Sequence, residues 1–310
     1  MSDVAAHEPL AIGLIGLSPD GLHLIEAMSG GGPFRVVMAL DDQRNLVSAA
    51  ESLGVPVVAD LNSLLSAPAV DALWLAQPFG FDEPFAELLL QFGKPIVGEL
   101  PLGLSAEHVQ SILAEARLRG IPVLSHCPRR SDEDFRRAQS AVVSGNLGQL
   151  LAAKWVSWSY GAPTGPTLLR LLAHAVDQLL QLISAEPLRV VSFGDSTLSN
   201  QSIIEFRGGV RAEIDLRLDS PLPFQTGWLL TGNRGGFADG RCFHVAADGE
   251  VFDTPTPTID VCVDQYVELA QRLRLFDRRA EESNRAVSVT QLLAAILAST
   301  QSGQVMLIST

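Results

Sequence analysis

Residues 11–23 read AIGLIGLSPDGLH, an apolar run that ends at Gly16 and is followed five residues later by Gly21. The run predicts a buried β-strand, and the glycines after it predict a tight turn into a helix. Dinucleotide-binding folds have such a turn, in which the spacing G-x-G-x-x-G brings the backbone close to a pyrophosphate. Here Gly16 and Gly21 hold the first and third glycine positions, and Ser18 holds the second.

The first 125 residues alternate between short apolar runs and helical patterns that end in glycine. The apolar runs lie at 10–17, 34–40, 55–58, 72–76, 95–98 and 121–125, and the helical patterns include 46–54, 82–93 and 105–120. Continuous apolar strands between helices are typical of a parallel sheet covered on both faces. We therefore assign residues 1–125 to an N-terminal α/β domain, a Rossmann domain with a doubly wound parallel sheet.

The pattern changes after residue 125. Residues 210–218, VRAEIDLRL, alternate between apolar and polar side chains, and RGG at 207–209 predicts a hairpin turn before them. Further strands are expected at 150–158, 188–194, 225–231 and near 242–252, and helices at 166–183, 259–275 and 288–301. Residues 126–310 are thus predicted to form an α+β domain with a largely antiparallel open sheet. The polar face of this sheet is either solvated or covered by a second subunit.

Composition excludes several classes of protein. The net charge of −13, with two lysines and no basic run, disfavours nucleic-acid binding and binding to an anionic membrane. The three cysteines are far apart in the sequence, which disfavours a disulfide framework and fits a reducing compartment. The N-terminal residues lack the basic and apolar regions of a secretory signal. We expect a cytoplasmic protein without a membrane span.

Taken together, these elements resemble the Gfo/Idh/MocA family of glucose–fructose oxidoreductases and inositol dehydrogenases. The resemblance covers nearly the whole chain, and it rests on the order and spacing of IGLIGLSPDGLH, FGKPIVGELPLGL, SGNLGQLLAAKWVSW and LLRLLAHAVDQLLQLI. It implies an NAD(P)-dependent oxidoreductase that acts on a sugar, a cyclitol or another small carbonyl or hydroxyl compound. It also implies a homodimer or larger oligomer formed through the C-terminal sheet.

The resemblance assigns a set of residues to the cofactor. These are Gly16, Ser18, Gly21, Asp41, Pro78, Glu99 and Pro101. Asp41 follows the second strand, where an acidic residue commonly binds the ribose hydroxyls and favours NAD over NADP; its alternative role is a helix N-cap. Ser18, Pro19 and Asp20 read as a capped helix start. An inward-facing Asp20 would repel a pyrophosphate, whereas an outward-facing one would have little effect.

The catalytic positions of the family are incomplete in this chain. The family places a lysine in a strand-end E-K-P motif, but this chain has Glu99-Leu100-Pro101, and leucine cannot relay a proton. The family also has an aspartate one helical turn before a histidine; His174 fits the histidine, and Arg170 replaces the aspartate. His174 is therefore the candidate proton carrier.

Four further residues are candidates for substrate binding, and each has a structural alternative. Arg170 and Arg129 could bind an anionic group or be surface charges. Asp177 lies on the same side of the helix as His174, and Tyr160 ends a strand that could face the ligand. His126 and Cys127 are adjacent without a third ligand at metal-binding spacing, so no metal is expected.

Two functions therefore remain open. The first is an NAD(P)-dependent oxidoreductase with His174 as the only proton carrier. The second is a non-catalytic relative that senses a ligand or binds a partner while it keeps the fold, because Leu100, Arg170 and Ser18 all fall at functional positions.

Overall fold

The computed structural model describes residues 8–17, 19–41, 46–76, 85–160, 167–195, 197–222, 225–246, 248–256, 265–275 and 280–308. These residues form two compact units. The first comprises the described residues of Met1–His126 and Val263–Val287, and the second those of Cys127–Cys262 and Ser288–Thr310. Each unit contains one β-sheet.

The first unit is built on a six-stranded parallel sheet. Its strands are β1 (Leu10–Ile15), β2 (Phe34–Leu40), β3 (Val57–Val58), β4 (Ala72–Leu75), β5 (Ile96–Glu99) and β6 (Val123–His126). The strand order is β3-β2-β1-β4-β5-β6, and every neighbouring pair is parallel. This is the order of a Rossmann fold, in which the direction of winding reverses between β1 and β4. The predicted N-terminal fold is confirmed.

Helices cover this sheet because its strands are largely apolar. The helices of the N-terminal segment are α1 (Pro19–Ser29), α2 (Val47–Ser52), α3 (Leu61–Leu65), α4 (Phe85–Gln91) and α5 (Ala106–Arg119). Leu14 and Trp74, in the two central strands, are fully buried. The Ser105 hydroxyl caps the start of α5 by accepting a hydrogen bond from the His108 N–H, and Gly120 ends this helix with a φ of 72°.

The second unit contains a nine-stranded mixed sheet. Its strands are β7 (Leu150–Trp158), β8 (Pro187–Gly194), β9 (Ser199–Phe206), β10 (Arg211–Arg217), β11 (Gln225–Gly232), β12 (Gly235–Ala238), β13 (Arg241–Val245), β14 (Val251–Pro255) and β15 (Met306–Leu307). The order is β14-β13-β12-β11-β7-β10-β9-β8-β15. Only β10 and β7 pair in parallel among these neighbours, so the sheet is largely antiparallel, as predicted.

One face of this second sheet is covered by helices. A 3-10 turn (Pro128–Ser131), α6 (Glu133–Val143) and α7 (Thr167–Leu182) lie in this unit, and two further helices, α8 (Gln265–Arg274) and α9 (Ala280–Ser302), follow later in the chain. The alternation predicted for β10 is confirmed at Ala212, Ile214 and Leu216, which are at most 2% exposed. Asp215 is an exception on the opposite face, since it is buried and pairs with Arg217 at 3.3 Å.

The structure differs from the sequence-based predictions in one domain assignment, one strand and one helix start. The segment that contains α8 belongs to the first unit, because Leu269, Ala270 and Leu273 pack into the core formed around β1 and β4. The strand expected near 242–252 is a hairpin of β13 and β14. Finally, α9 begins at Ala280, earlier than the expected 288.

No helix within the described ranges is long and apolar enough to cross a membrane.

Candidate functional site

The turn between β1 and α1 requires glycine at two of its positions. Gly16 has a φ of 93°, in the left-handed region that favours glycine. A Cβ atom on Gly21 would lie 2.7 Å from the Gly16 carbonyl oxygen, so only glycine lets α1 pack this close to the end of β1. α1 begins at Pro19, as predicted. Ser18 lies outside the described residues, as do the side chains of Pro19 and Asp20, so their predicted roles remain predictions.

Asp41 lies directly after β2 and is 7% exposed. Its N–H donates to the Val58 carbonyl at 3.2 Å, which anchors the main chain next to β3. The alternative role of Asp41 as an N-cap for α2 is wrong, because Leu46 is the N-cap of that helix. Its carboxylate therefore stands at the carboxyl end of β2, within the first unit. Pro78 lies outside the described residues.

The strand-end motif of β5 packs inside the first unit. Leu100, at the position of the family lysine, is 1% exposed, and its peptide bond to Pro101 is cis. Glu99 accepts a hydrogen bond from Trp74 Nε1 at 3.0 Å and lies 2.6 Å from His126 Nδ1. The motif thus presents an apolar side chain and a carboxylate that is held by the unit's own side chains.

Neither lysine of the chain stands in for the missing one. Lys94 Nζ donates to the carbonyls of Ala67 and Val70 at 3.1 and 2.5 Å, and burial lowers the pKa of its ammonium group. Lys154 Nζ donates to Glu213 Oε1 at 2.8 Å, across β7 and β10. Both ammonium groups are therefore engaged in structural contacts.

In the second unit, α7 brings His174 and Asp177 together with a cysteine. Cys127 Sγ lies 3.3 Å from His174 Nδ1 and donates to Asp177 Oδ2 at 3.2 Å. The three side chains are 5%, 4% and 0% exposed, respectively. Cys127 is a buried thiol that directly follows β6, and 47 residues separate it from His174. The result is a buried histidine linked to a carboxylate through a thiol.

Asp177 is held by a charged neighbour. Arg130 donates from Nε to Asp177 Oδ2 at 2.8 Å and from a terminal nitrogen to Oδ1 at 2.6 Å. This two-point contact is the strong geometry for an arginine and a carboxylate. Gln181 Nε2 adds a hydrogen bond to Oδ2 at 2.8 Å. The carboxylate is therefore saturated with donors.

The other substrate-binding candidates have surroundings of their own. Arg129 pairs with Asp132 at 3.4 Å, so Arg130 rather than Arg129 reaches Asp177. Arg170 is partly buried on the first half of α7. Tyr160 is 82% exposed and forms a single β-bridge with Asp219. Sequence reasoning missed the role of Cys127, whose only sequence signal was its place after a strand end.

A pocket of about 440 Å³ also lies in the second unit. Its lining includes Asp132, Asp134, Trp155, Gln178 and Trp228. Burial raises the pKa values of Asp132 and Asp134, against the lowering effect of Arg129 on Asp132 and of the Trp228 N–H on Asp134. Trp228 Nε1 donates to Gln178 Oε1 at 3.0 Å, which links the pocket wall to α7.

Comparison with known proteins agrees with this architecture. Residues 10–125 match the family model GFO_IDH_MocA, described as an oxidoreductase family with an NAD-binding Rossmann fold. An inositol 2-dehydrogenase of Leifsonia xyli is 24% identical over 71% of each chain. One from Corynebacterium glutamicum is 27% identical over 46% of this chain, and the match spans only 43% of that relative.

Solved structures resemble the chain over almost its full length. An NAD-binding protein from Listeria innocua has a TM-score of 0.83 at 18% identity and covers 97% of both chains. A scyllo-inositol dehydrogenase from Lactobacillus casei, solved with NAD(H) and scyllo-inositol, has a TM-score of 0.76 at 16% identity and covers 98% of this chain and all of that one. With the strand order, these findings show that residues 10–125 match the Gfo/Idh/MocA oxidoreductase family and its NAD-binding Rossmann fold, and that the chain shares the fold of the solved structures.

Proposed function

We propose that the chain is an NAD(P)-binding oxidoreductase that acts on a small polyol, sugar or related carbonyl compound. The observation that carries this proposal is the β1–α1 turn, where Gly21 packs so close to Gly16 that a Cβ atom has no room. In Rossmann folds, the backbone N–H groups of such a turn and helix start bind the pyrophosphate. The names of the relatives, inositol dehydrogenases among them, support a polyol as the substrate class.

The cofactor would be held by the first unit. Gly16, Ser18 and Gly21 would approach the pyrophosphate, and Asp41 would accept hydrogen bonds from the ribose hydroxyls, which favours NAD over NADP. Pro78, Glu99 and Pro101 complete the proposed set on the basis of the family pattern. When bound, NAD(P) supplies the acceptor or donor of the hydride.

The proton would be carried by His174, since an imidazole exchanges protons near neutral pH. We propose Arg170, Arg129 and Tyr160 as substrate contacts. Asp177 was predicted to join them, but it is fully buried and held by Arg130, so we assign it to support of the histidine. Without a lysine at residue 100, turnover should be slow, and a carbonyl that is already electrophilic should be the best substrate.

One observation favours a second candidate function, a non-catalytic ligand-sensing or partner-binding role. Leu100 is buried, and both lysines of the chain are bound elsewhere, so no ammonium group is at hand to replace the lost one. A protein of this kind would bind the cofactor without turnover.

Titration with NADH and NADPH, followed by fluorescence and melting temperature, tests the proposal. We expect saturable binding that is tighter for NADH, and a ligand at a hundred times its Kd stabilises a protein by about 2.7 kcal/mol. A screen of inositols, sugars and ketones should follow, with His174→Gln as the control that lowers turnover. Binding without turnover would favour the second candidate, and the absence of binding at millimolar cofactor would overturn the first.

The outer face of the second sheet is the surface we propose for a homodimer. Ile203, Glu213, Lys154 and Leu229 stand opposite one another on four adjacent strands. Ile203 and Leu229 are 43% and 44% exposed, and the Lys154–Glu213 pair between them neutralises its own charge. Sedimentation of Ile203→Asp should give a monomer where the wild type gives a dimer. A wild-type monomer at micromolar concentration would contradict this proposal.

A further inference from the structure

We propose that Cys127 is a positioning residue that sets the protonation pattern of His174. In this arrangement the Cys127 thiol holds Nδ1 of His174 as the protonated nitrogen and leaves Nε2 as the atom that accepts a proton. The catalytic meaning of the inference rests on the proposed function, whereas the hydrogen-bond pattern stands on the geometry of the second unit alone.

The hydrogen-bond pattern is set by Asp177, whose ionised carboxylate can only accept hydrogen bonds. A guanidinium group remains charged at any physiological pH, and the Arg130 guanidinium contacts both carboxylate oxygens at 2.8 and 2.6 Å. Gln181 adds an amide donor to the same Oδ2 atom. A carboxylate with these three donors is ionised and has no proton of its own to give.

The thiol must therefore direct its single proton at Asp177. Cys127 Sγ lies 3.2 Å from Asp177 Oδ2, and only the sulfur has a hydrogen for that contact. The sulfur then faces His174 Nδ1, 3.3 Å away, with a lone pair. A contact between a sulfur lone pair and a ring nitrogen is favourable when the nitrogen carries the hydrogen. His174 is accordingly the Nδ1–H tautomer, and its Nε2 has the lone pair.

The alternative charge distribution, a thiolate beside an imidazolium, is disfavoured by the same neighbours. It would place an anionic sulfur 3.2 Å from the Asp177 carboxylate oxygen in a site where all three side chains are buried. Two like charges at that distance repel strongly where water cannot screen them. The neutral thiol and the neutral imidazole are the consistent pair.

In the family, an aspartate lies one turn before the histidine, and this chain has Arg170 there. In this arrangement Asp177, on the following turn of α7, provides the carboxylate instead. Asp177 lies on the turn after His174 and is connected to the ring through the thiol. During oxidation of an alcohol, the substrate O–H bond breaks and Nε2 takes the proton. Bound NAD(P) would accept the C–H hydrogen with its electron pair as hydride, which would leave a C=O bond in the product. The reverse reaction returns both to the carbonyl.

The test is nitrogen NMR of the full chain labelled with ¹⁵N-histidine, without cofactor. The chain has six histidines, and the His174 signals are assigned by their loss in His174→Gln. We expect a protonated Nδ1 and an unprotonated Nε2 at neutral pH. In Cys127→Ala the ratio of the Nδ1–H to the Nε2–H form should fall about tenfold, the effect of one buried hydrogen bond.

Two variants separate positioning from a general loss of packing. Cys127→Ser keeps one donor and one acceptor and should restore the wild-type pattern. Cys242→Ala removes another buried thiol of the same unit, whose sulfur lies 3.7 Å from Thr256 Oγ1, and should leave the His174 signals unchanged. An Nε2–H tautomer in the wild type, or a Cys127→Ala spectrum identical to it, would overturn the inference.

The result is independent of the cofactor titration. The expected NMR pattern together with an absence of NAD(P) binding would leave the inference standing and overturn the proposed function. In a protein that turns over substrate, Cys127→Ala should also shift the pH profile of kcat, which a purely structural role would not do.

Discussion

Two buried histidines of this chain are each associated with a carboxylate, yet their surroundings differ. His126 in the first unit lies 2.6 Å from Glu99 and stacks on Tyr266 with ring centroids 5.7 Å apart. His174 in the second unit is linked to Asp177 through the Cys127 sulfur. Trp74 also contacts the His126 ring edge-on, so this imidazole is enclosed by aromatic rings.

The two histidines differ in what holds each ring. Direct contact with Glu99 and aromatic stacking hold His126 as part of a core. At His174 the charge of Asp177 is balanced by Arg130, and the Cys127 thiol lies between the carboxylate and the ring. Burial alone therefore does not distinguish the two histidines, and their immediate partners do.

The largest effect is expected from Asp177→Ala. Removal of this carboxylate leaves the Arg130 guanidinium, 24% exposed, without the partner that contacts it at two points. We expect a loss of about 3–5 kcal/mol in the free energy of unfolding, measured by urea denaturation. Glu205→Ala is the matched control, because Arg189 contacts Glu205 with two nitrogens at an exposed site, where the loss should stay below about 1 kcal/mol. Equal losses would show that burial of the pair has no energetic consequence.

Glu99→Ala should have the next largest effect. It removes the acceptor of Trp74 Nε1 and the partner of His126 Nδ1, and each buried polar group left unsatisfied costs about 1–3 kcal/mol. Urea denaturation should show the loss, and Glu99→Gln should recover part of it by keeping one oxygen acceptor. The ¹⁵N signals of His174 should not change. A change there would contradict the distinction drawn between the two histidines.

Gly21→Ala tests whether the main-chain geometry of the β1–α1 turn contributes to stability and to cofactor binding. The new Cβ atom would lie 2.7 Å from the Gly16 carbonyl oxygen, so the turn must shift, at a cost of about 1–3 kcal/mol. NADH binding should weaken at least as much as stability, because the same turn is proposed to contact the pyrophosphate. Gly30→Ala is the control, since nothing lies within 4 Å of its added Cβ. Unchanged NADH affinity in Gly21→Ala would remove this turn from the proposed site.

The smallest effect is a pH dependence at Asp134, a half-buried carboxylate in the second unit. Burial raises its pKa in the folded state, partly offset by the hydrogen bond from the Trp228 N–H. Between the unfolded pKa, about 3.9, and the raised value, the folded state binds more protons. The contribution of Asp134 to stability therefore rises as pH falls through that window.

Asp195 provides the opposite sign in the same unit. Hydrogen bonds from the N–H groups of Leu198 and Thr197 lower its pKa, so its contribution is present above the unfolded pKa and is lost as pH falls through the lowered value. Melting temperatures between pH 3 and pH 6 should show the two slopes as differences between wild type and Asp134→Asn or Asp195→Asn. The same sign in both variants would contradict the assignment of burial as the cause at Asp134.

Much of the fold could be predicted because its signals are local. The apolar runs of the first 125 residues became the six strands of the parallel sheet, and the alternation of residues 210–218 became β10. The hairpin at 242–252 was missed because a short turn between two strands has no periodicity of its own. Placement of α8 in the first unit depends on the match of Leu269 and Leu273 to a distant core, which no window of sequence contains.

In the candidate site, too, some features are determined by local sequence and others by tertiary contacts. The sequence by itself determined where the main chain must turn tightly, because Gly16 and Gly21 act on the few residues around them. The family resemblance adds the prediction that a lysine at residue 100 and an aspartate at residue 170 are replaced. Only the tertiary structure decided that Cys127 joins His174 and Asp177, which are 47 and 50 residues away. Such a contact depends on how strands and helices pack. Side chains that are distant in sequence can form it without any regular spacing that a sequence pattern would reveal.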